Sequence, residues 1–321
     1  NQLSYSPKEG GHYKASPTIA QHRIQRAKVD WKSVESGISE ARGEAFKVER
    51  AQSIGGGCVN AAFVLQGGNQ QYFVKRNRAD LAIMFQAEAA GLQALAQSAV
   101  IRVPTPVAQG ADKETSWLAM EFIEMGPPSP ASSHQLGEAL ARLHRSTAEQ
   151  FGWHRNNFIG ATDQVNNWTA HWPEFFARHR LGFQLDLASK NGASTALIDG
   201  GNRLIEGLPS FFVTNQPLPS LLHGDLWGGN WGTDSNGDPV LFDPAVYYGD
   251  READLAMTEL FGGFDDRFYQ SYRGCWDIDP GYTTRKVLYN LYHVLNHFNL
   301  FGGGYASQAV DMIKQLNAEV S

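Results

Sequence analysis

The sequence has 321 residues, 42% hydrophobic and 19% charged, a balance typical of a globular protein with one large domain or two lobes around a cleft. Its net charge of −6 at pH 7 disfavours nucleic acid as a partner, so an anionic substrate would need positive charge placed locally. Two cysteines exclude a disulfide framework, and no apolar run approaches the ~18 residues that span a membrane, so we expect a cytoplasmic protein.

The first third of the sequence is rich in strand patterns. Residues 1–29 are polar and lack a signal core, so we expect a flexible extension. A short helix is predicted to begin at Ser33, and a longer one to run from Ala79 to Ala96. Alternating or apolar runs predict strands over Phe46–Ala51, Ala61–Leu65, Gln71–Lys75 and Trp117–Ile123.

Helical patterns dominate after the Gly126–Pro130 segment, which we take as the boundary between a first lobe, 30–125, and a second, 126–321. Apolar periodicity predicts helices over His134–Thr147, Trp172–Asp186 and Ala196–Phe212, and we expect the chain from Glu252 onward to be mainly helical. Strands followed by helices predict an α+β protein with two lobes.

The strongest local motif is the segment His223–Asn230. Asp225 precedes Asn230 by five residues, which is the spacing of a kinase catalytic loop. In such a loop the carboxylate orients an attacking hydroxyl, and the amide oxygen holds Mg²⁺ against phosphates. Asp243 follows an apolar run and would complete the metal site, because hard cations prefer oxygen ligands. Taken alone, His-Gly-Asp is explained equally well by a turn that the Asp side chain caps. The spacing from Asp225 to Asn230 and Asp243 favours a catalytic loop over such a turn.

Three upstream features fit the same chemistry. Gly55, Gly56, Gly57 and Asn60 interrupt two strands, which indicates a flap over phosphates, although a plain hairpin explains three glycines too. Lys75 ends an apolar strand, and Glu88 on the next helix could pair with it and aim it at phosphates; the alternative is two solvated side chains. The linker between lobes, whose main chain would bind adenine, is Met120, Glu121, Phe122 and Ile123.

These motifs resemble the fructosamine kinase (ketosamine 3-kinase) family, which is related to aminoglycoside and choline phosphotransferases. The resemblance runs from about Trp31 to the end of the chain. It rests on Gly55–Asn60, Phe73–Lys75, Glu88–Leu92, Asn157–Gly160, His223–Trp231, Gly249–Met257 and Leu291–Gly303. The sequence departs from the family pattern at two places. Asp250 stands where a His is often seen, and Gly228–Gly229 stands where Ser-Gly or Ala-Gly is common.

The resemblance implies a protein-kinase-like fold, with an antiparallel sheet and a helix in the first lobe and a larger, mostly helical second lobe. It implies that ATP and Mg²⁺ serve to phosphorylate the C3 hydroxyl of a ketosamine, a deglycation repair reaction. Asp225 then matches the catalytic base, Lys75 the ATP lysine, and Asn230 with Asp243 the metal ligands.

Other residues have competing interpretations. Trp227 is predicted to contact the sugar, although it could be a core anchor, and His223 is assigned to the same substrate pocket. Asp254 is expected to hold the catalytic loop through main-chain hydrogen bonds. Cys58, on the glycine-rich loop, could be a redox switch or a small residue that fits the loop.

Two alternatives remain at this stage. One is a kinase for another small hydroxylated amine, such as an aminoglycoside or choline. The other is a non-catalytic ATP-binding scaffold, which would have no need of Asp225. We expect a monomer, with a thiol-linked dimer through Cys58 as the alternative, and a ketosamine substrate that is either free or attached to protein.

Overall fold

A computed structural model describes residues 29–55 and 59–319 of the chain. The chain divides into two units, Asn1–Lys32 and Ser33–Ser321, and the second contains the sheet and the cleft. Almost all of the predicted extension and the residues Gly56, Gly57 and Cys58 lie outside the described residues, so those assignments stay predictions.

A five-stranded antiparallel sheet forms the first part of the fold, after helix α1 (Lys32–Arg42). Its strands, in the spatial order β1-β2-β3-β5-β4, are β1 (Arg50–Ile54), β2 (Ala61–Gly67), β3 (Gln70–Arg78), β4 (Pro106–Ala111) and β5 (Thr115–Glu121). The turn between β2 and β3 contains Gly68 with φ of 56°, a conformation that favours glycine and allows a tight hairpin.

The predicted strand Phe46–Ala51 is wrong in its bounds, because the sheet begins at Arg50. The Phe46 ring is buried and meets Tyr72 edge-on at 4.9 Å. Packing against the sheet therefore explains its hydrophobic pattern without membership of a strand. The strand predicted to reach Ile123 ends two residues earlier, at Glu121.

Helix α2 (Ala82–Gln97) packs on this sheet and follows a 3₁₀ turn at Ala79–Leu81. Its buried side includes Phe85, Leu92 and Leu95, the apolar stripe that predicted the helix. Gly91 faces the second part of the fold, where an added Cβ would lie 3.3 Å from Val246. The helix thus brings both parts of the molecule together.

The rest of the chain is mainly helical. Its helices are α3 (Pro130–Leu143), α4 (Trp172–Phe176), α5 (Phe183–Lys190), α6 (Thr195–Gly207), α7 (Glu252–Leu260), α8 (Asp266–Cys275), α9 (Tyr282–Phe301) and α10 (Tyr305–Glu319). A π-helical segment, Ala177–Gly182, joins α4 to α5 where one regular helix was predicted. None of the described helices is long and apolar enough to cross a membrane.

Three short antiparallel pairs position the functional loops. They are β6 (Asn157–Ile159) with β7 (Thr162–Gln164), β8 (Ser220–Leu222) with β11 (Tyr247–Gly249), and β9 (Trp231–Thr233) with β10 (Pro239–Leu241). The segment that connects the two parts is fastened to the last pair, because Gly126 N donates to Thr233 O at 2.7 Å. A boundary at residues 125/126 remains a prediction.

The close approach of α3 and α8 gives a stability prediction. An added Cβ at Gly137 would lie 2.1 Å from Ser271 Oγ and 2.3 Å from Phe268 O, so Gly137→Ala must push the helices apart. We expect the free energy of unfolding to fall by about 1–3 kcal/mol, the usual cost of overpacking. Urea unfolding measures it.

The control is Gly274→Ala on the other helix of the pair, α8, where an added Cβ meets no atom within 4 Å. The control should be neutral or raise the free energy of unfolding by up to about 1 kcal/mol, because Ala favours a helix over Gly. Equal midpoints for the two variants would contradict the packing argument.

Candidate active site

A cleft of about 530 Å³ opens between the sheet and the helical part of the molecule. Most of the predicted site residues line it: Gly55, Asn60, Lys75, Glu88, Met120, Glu121, Ile123, Asp225, Trp227, Asn230 and Asp243. Phe122, His223 and Asp254 are not among the lining residues. The structure therefore brings together side chains that lie far apart in the sequence.

The Lys75 ammonium forms the centre of this cleft. Its Nζ lies 2.6 Å from Glu88 Oε1 and 2.5 Å from Asp243 Oδ1, so it connects β3, α2 and the loop after β10. Burial alone would lower the pKa of Lys75, but the carboxylates of Asp243 and Glu88 raise it above its ordinary value. The lysine therefore stays charged at neutral pH.

The segment His223–Asn230, which we call the catalytic loop, places Asp225 and Asn230 side by side. Asn230 Nδ2 donates to Asp225 O at 2.8 Å and to Asp225 Oδ2 at 3.2 Å. Burial, together with the nearby charge of Asp243, raises the pKa of Asp225 to about 7. This carboxylate is thus poised to exchange a proton near neutral pH.

Glycine is required at the start of this loop. Gly224 has φ of 83°, and an added Cβ would lie 2.1 Å from Ala245 O. Ala245 N donates to His223 O at 2.8 Å, so the catalytic loop and the segment that follows Asp243 are in direct contact. Asp243 has φ of 58°, a left-handed conformation that Asp tolerates better than most residues.

Asp254, at the start of α7, holds the main chain of the catalytic loop. Its carboxylate accepts hydrogen bonds from His223 N at 2.7 Å and Gly224 N at 2.8 Å. Burial alone would raise the pKa of Asp254, but the hydrogen bonds that it accepts hold the pKa below its ordinary value. The negative charge is therefore kept permanently in place.

Two residues that the sequence analysis missed support Asp254. His144 Nε2 donates to Asp254 Oδ2 at 3.2 Å, and Tyr272 donates its hydroxyl hydrogen to His144 Nδ1 at 2.9 Å. Burial lowers the pKa of His144, which keeps the imidazole neutral. A single histidine after helix α3 carries no motif, and its partner lies 110 residues away in sequence.

The structure corrects the assignment of His223 to substrate. The side chain is completely buried, its Nε2 donates to Phe242 O at 3.0 Å, and its Nδ1 accepts from Asp225 N at 3.3 Å. Both ring nitrogens are therefore used inside the protein. His223 links the catalytic loop to the segment that carries Asp243, a structural role in place of the predicted contact.

Part of the cleft lining is apolar. Its lining residues include Ala62, Phe73, Met84, Pro104, Met120, Ile123 and Met125. Glu121 also reaches the cleft, but its carboxylate accepts from Arg102 Nη2 at 2.7 Å and its main-chain amide donates to Thr105 O at 2.8 Å. A flat aromatic base fits such a wall, with polar contacts left to the remaining main chain.

Two oxygen donors that line the cleft fit a hard divalent cation. Asp243 has 46% of its side chain exposed, and the Asn230 amide uses its nitrogen on Asp225, which leaves Oδ1 as an acceptor. Within the described residues, no three His, Cys, Asp or Glu side chains cluster to hold a metal alone. Mg²⁺ needs only one or two protein ligands beside phosphate and water, so these two residues suffice.

Comparisons with known sequences identify the family of this chain. The family model for fructosamine kinases matches residues 30–319. The chain is 47% identical over 286 residues to a Synechocystis sp. protein provisionally named a ketoamine kinase, covering 89% of this chain and 96% of that one. It is 44% identical over 274 residues to the chloroplastic protein-ribulosamine 3-kinase of Oryza sativa subsp. japonica, covering 84% and 80%.

Solved structures confirm the predicted α+β, protein-kinase-like fold. A Haemophilus somnus 129PT protein provisionally assigned as a fructosamine-3-kinase superposes with a TM-score of 0.83 at 30% identity, covering 89% of this chain and 97% of that one. A mutant of aminoglycoside phosphotransferase APH(4)-Ia, crystallised with ADP and hygromycin B, gives 0.63 at 15% identity, covering 89% and 98%. The second similarity shows a shared fold alone.

The raised pKa of Asp225 predicts a pH-dependent gain in stability for Asp225→Asn. Between its unfolded value of 3.8 and the folded value of about 7, the native protein holds a proton that the unfolded chain has lost. Stability contributed by protonated Asp225 therefore falls as the pH rises through this window. Asn mimics the protonated form of Asp225 at every pH. At pH 8 the free energy of unfolding of Asp225→Asn should therefore exceed that of wild type by about 1–2 kcal/mol, a value reduced to allow for the partial exposure of the side chain.

Urea unfolding of wild type and Asp225→Asn at several pH values, without nucleotide or divalent cations, measures this difference. It should shrink steadily as the pH falls from 7 toward 4. A difference that is constant with pH, or largest in acid, would show that Asp225 has no raised pKa in the folded protein.

Proposed function

The chain belongs to the fructosamine kinase family, and from this premise we propose that it phosphorylates the C3 hydroxyl of ketosamines with ATP, a deglycation repair activity. The observation that carries the proposal is the Lys75 ammonium, held by Glu88 and Asp243 in the same cleft as Asp225. A scaffold that only binds nucleotide would have no use for a carboxylate poised near pH 7.

Asp225 orients the acceptor in this reaction. Its carboxylate accepts a hydrogen bond from the C3 hydroxyl and takes the proton as the oxygen bonds to the γ-phosphorus. The bond between that phosphorus and the oxygen bridging to the β-phosphate breaks, and ADP leaves with those electrons. The hydrogen bond from Asn230 Nδ2 to Asp225 Oδ2 fixes the direction of the carboxylate.

Lys75 holds the donor. Its ammonium is kept at the surface of the cleft by Glu88, from which position it contacts the α- and β-phosphates. Asn230 and Asp243 are the proposed Mg²⁺ ligands. The bound metal would neutralise charge on the β- and γ-phosphates.

Trp227 is the proposed sugar contact. The side chain lines the cleft two residues after Asp225 and is 40% exposed. An added Cβ at Gly229 would lie 2.2 Å from the Trp227 ring, so glycine makes room for the indole to lie across the loop.

The ketosamine 3-phosphate that the reaction forms is unstable and releases the amine, which is the repair step. We place the reaction in the cytoplasm because the sequence carries only two cysteines.

A coupled assay of ADP release on a panel of acceptors tests the proposal. The panel contains ribulosyl- and fructosyl-lysine, an aminoglycoside, choline and free glucosamine. Turnover is expected with the ketosamines alone, to stop with EDTA, and to return with Mg²⁺. Turnover confined to aminoglycoside, choline or amino sugar would favour the related kinases, and ATP binding without turnover would indicate a scaffold.

Replacing Asp225 tests the role of the proposed base. Asp225→Asn should lower kcat by about 10²–10⁴, the usual contribution of a positioned base, because the amide cannot accept the proton. The KM for ATP should change little, since Lys75, Asn230 and Asp243 remain. Asp163→Asn is a matched control, because Asp163 is an exposed carboxylate that does not line the cleft. Near-normal turnover in Asp225→Asn would refute the assignment.

A further inference from the structure

An exposed aromatic surface lies outside the cleft. It consists of Phe261, His297, Phe301 and Tyr305, which we call the aromatic surface. The His297 ring lies 5.1 Å from Phe261, 5.6 Å from Phe301 and 5.2 Å from Tyr305, measured between ring centroids. Phe261 is 43% exposed and Phe301 is 61% exposed. Contiguous exposed aromatic side chains on a folded protein mark interaction sites more often than isolated ones do.

The main chain that follows Phe261, at one end of the aromatic surface, contacts the catalytic loop. Phe261 is followed by Gly262 and Gly263, and an added Cβ at Gly228 would lie 2.8 Å from Gly262 O and 2.9 Å from Gly263 Cα. Gly228 stands between Trp227 and Gly229, which both line the cleft. The main chain that carries Phe261 therefore runs directly beside the loop that carries the sugar-contacting tryptophan.

At the other end, the residue before Phe301 contacts a second wall of the cleft. Phe301 follows Leu300, whose Cδ1 would lie 3.4 Å from a Cβ at Gly160. Gly160, at the turn between β6 and β7, lines the cleft together with Phe158. The residues next in sequence to Phe261 and Phe301 thus contact two loops that border the cleft.

We propose that the aromatic surface binds the polypeptide around a glycated lysine, so that the preferred acceptor is a ketosamine in an apolar protein segment. This inference rests on the proposed function. Only a few covalent bonds separate the C3 hydroxyl from the ketosamine nitrogen, so an acceptor positioned at Asp225 directs its nitrogen substituent outward past Trp227. The neighbouring aromatic surface then meets the chain that the lysine belongs to.

The chemistry of the aromatic surface fits this occupant. Aromatic faces attract both apolar side chains and cations, and the nitrogen of a ketosamine is a protonated secondary amine at neutral pH. A free amino acid ketosamine ends close to Trp227 and reaches little of this surface. A polypeptide continues beyond it and can bury Phe261 and Phe301 against its own side chains.

Two synthetic peptides with a central ribulosyl-lysine test the proposal, one flanked by leucines and one by serines, with ribulosyl-methylamine as the small acceptor. Wild type should show a KM about tenfold lower for the leucine peptide than for the serine peptide, since burying part of one aromatic side chain is worth about that factor. Phe301→Ser should abolish the difference and leave the KM for ribulosyl-methylamine unchanged. Phe301→Trp, which keeps an aromatic side chain, should show the same KM difference between the two peptides as wild type.

Val213→Ser is the control, because Val213 is 77% exposed and does not line the cleft. It should behave as wild type. Equal KM values for both peptides in wild type, or a Phe301→Ser effect that is the same for all acceptors, would overturn the proposal while the kinase activity stands. A change of oligomeric state in Phe301→Ser on size-exclusion chromatography, with peptide KM values unaltered, would reassign the aromatic surface to self-association. No turnover of any ketosamine would refute the kinase function and the docking inference with it.

Discussion

The pairing of the Lys75 ammonium with Glu88 and Asp243 is the interaction on which the site depends. A buried charge is costly unless opposite charges accompany it, and here they come from two other elements, with Asp243 lying 168 residues beyond Lys75. The same contacts that satisfy the ammonium therefore hold the sheet, α2 and the loop after β10 in one arrangement. Removing Lys75 would leave two carboxylates facing each other, so the cleft and its charge pattern exist only together.

Two aspartates beside the catalytic loop show how environment separates structure from chemistry. Asp254 accepts hydrogen bonds from two main-chain amides and from His144, and its pKa lies below the ordinary value. Burial and the nearby charge of Asp243 raise the pKa of Asp225 to about 7, and the one side-chain hydrogen bond that it accepts, from Asn230, does not offset them. Well-satisfied charge rigidifies the loop, and poorly satisfied charge remains available for proton transfer, which is a division that enzymes use repeatedly.

The sequence predicted the parts of the site that depend on short spacing. Asp225 and Asn230 share one turn, and Lys75 with Glu88 sit on a strand and the next helix, so local geometry brings each pair together. His144 and Tyr272 could not be found in this way, because their meeting depends on how α3 packs against α8. The inward direction of His223 was equally invisible, since a motif fixes a position in the chain and not the side on which the imidazole finds its partners. The start of β1 at Arg50 was missed because the Phe46 pattern reflects packing on the sheet.

The division between the paired charges around Lys75 in the cleft and an aromatic exterior suits a repair enzyme. Inside the cleft, directed hydrogen bonds and paired charges discriminate sharply, because a missing partner leaves a buried group unsatisfied. Outside it, Phe261 and Phe301 offer contacts that are non-directional and scale with the area buried. A surface of this kind favours apolar segments around a modified lysine without requiring one particular sequence. Recognition of the lesion can therefore be strict while recognition of its carrier stays broad, and the two demands are met by different forces on adjoining parts of one molecule.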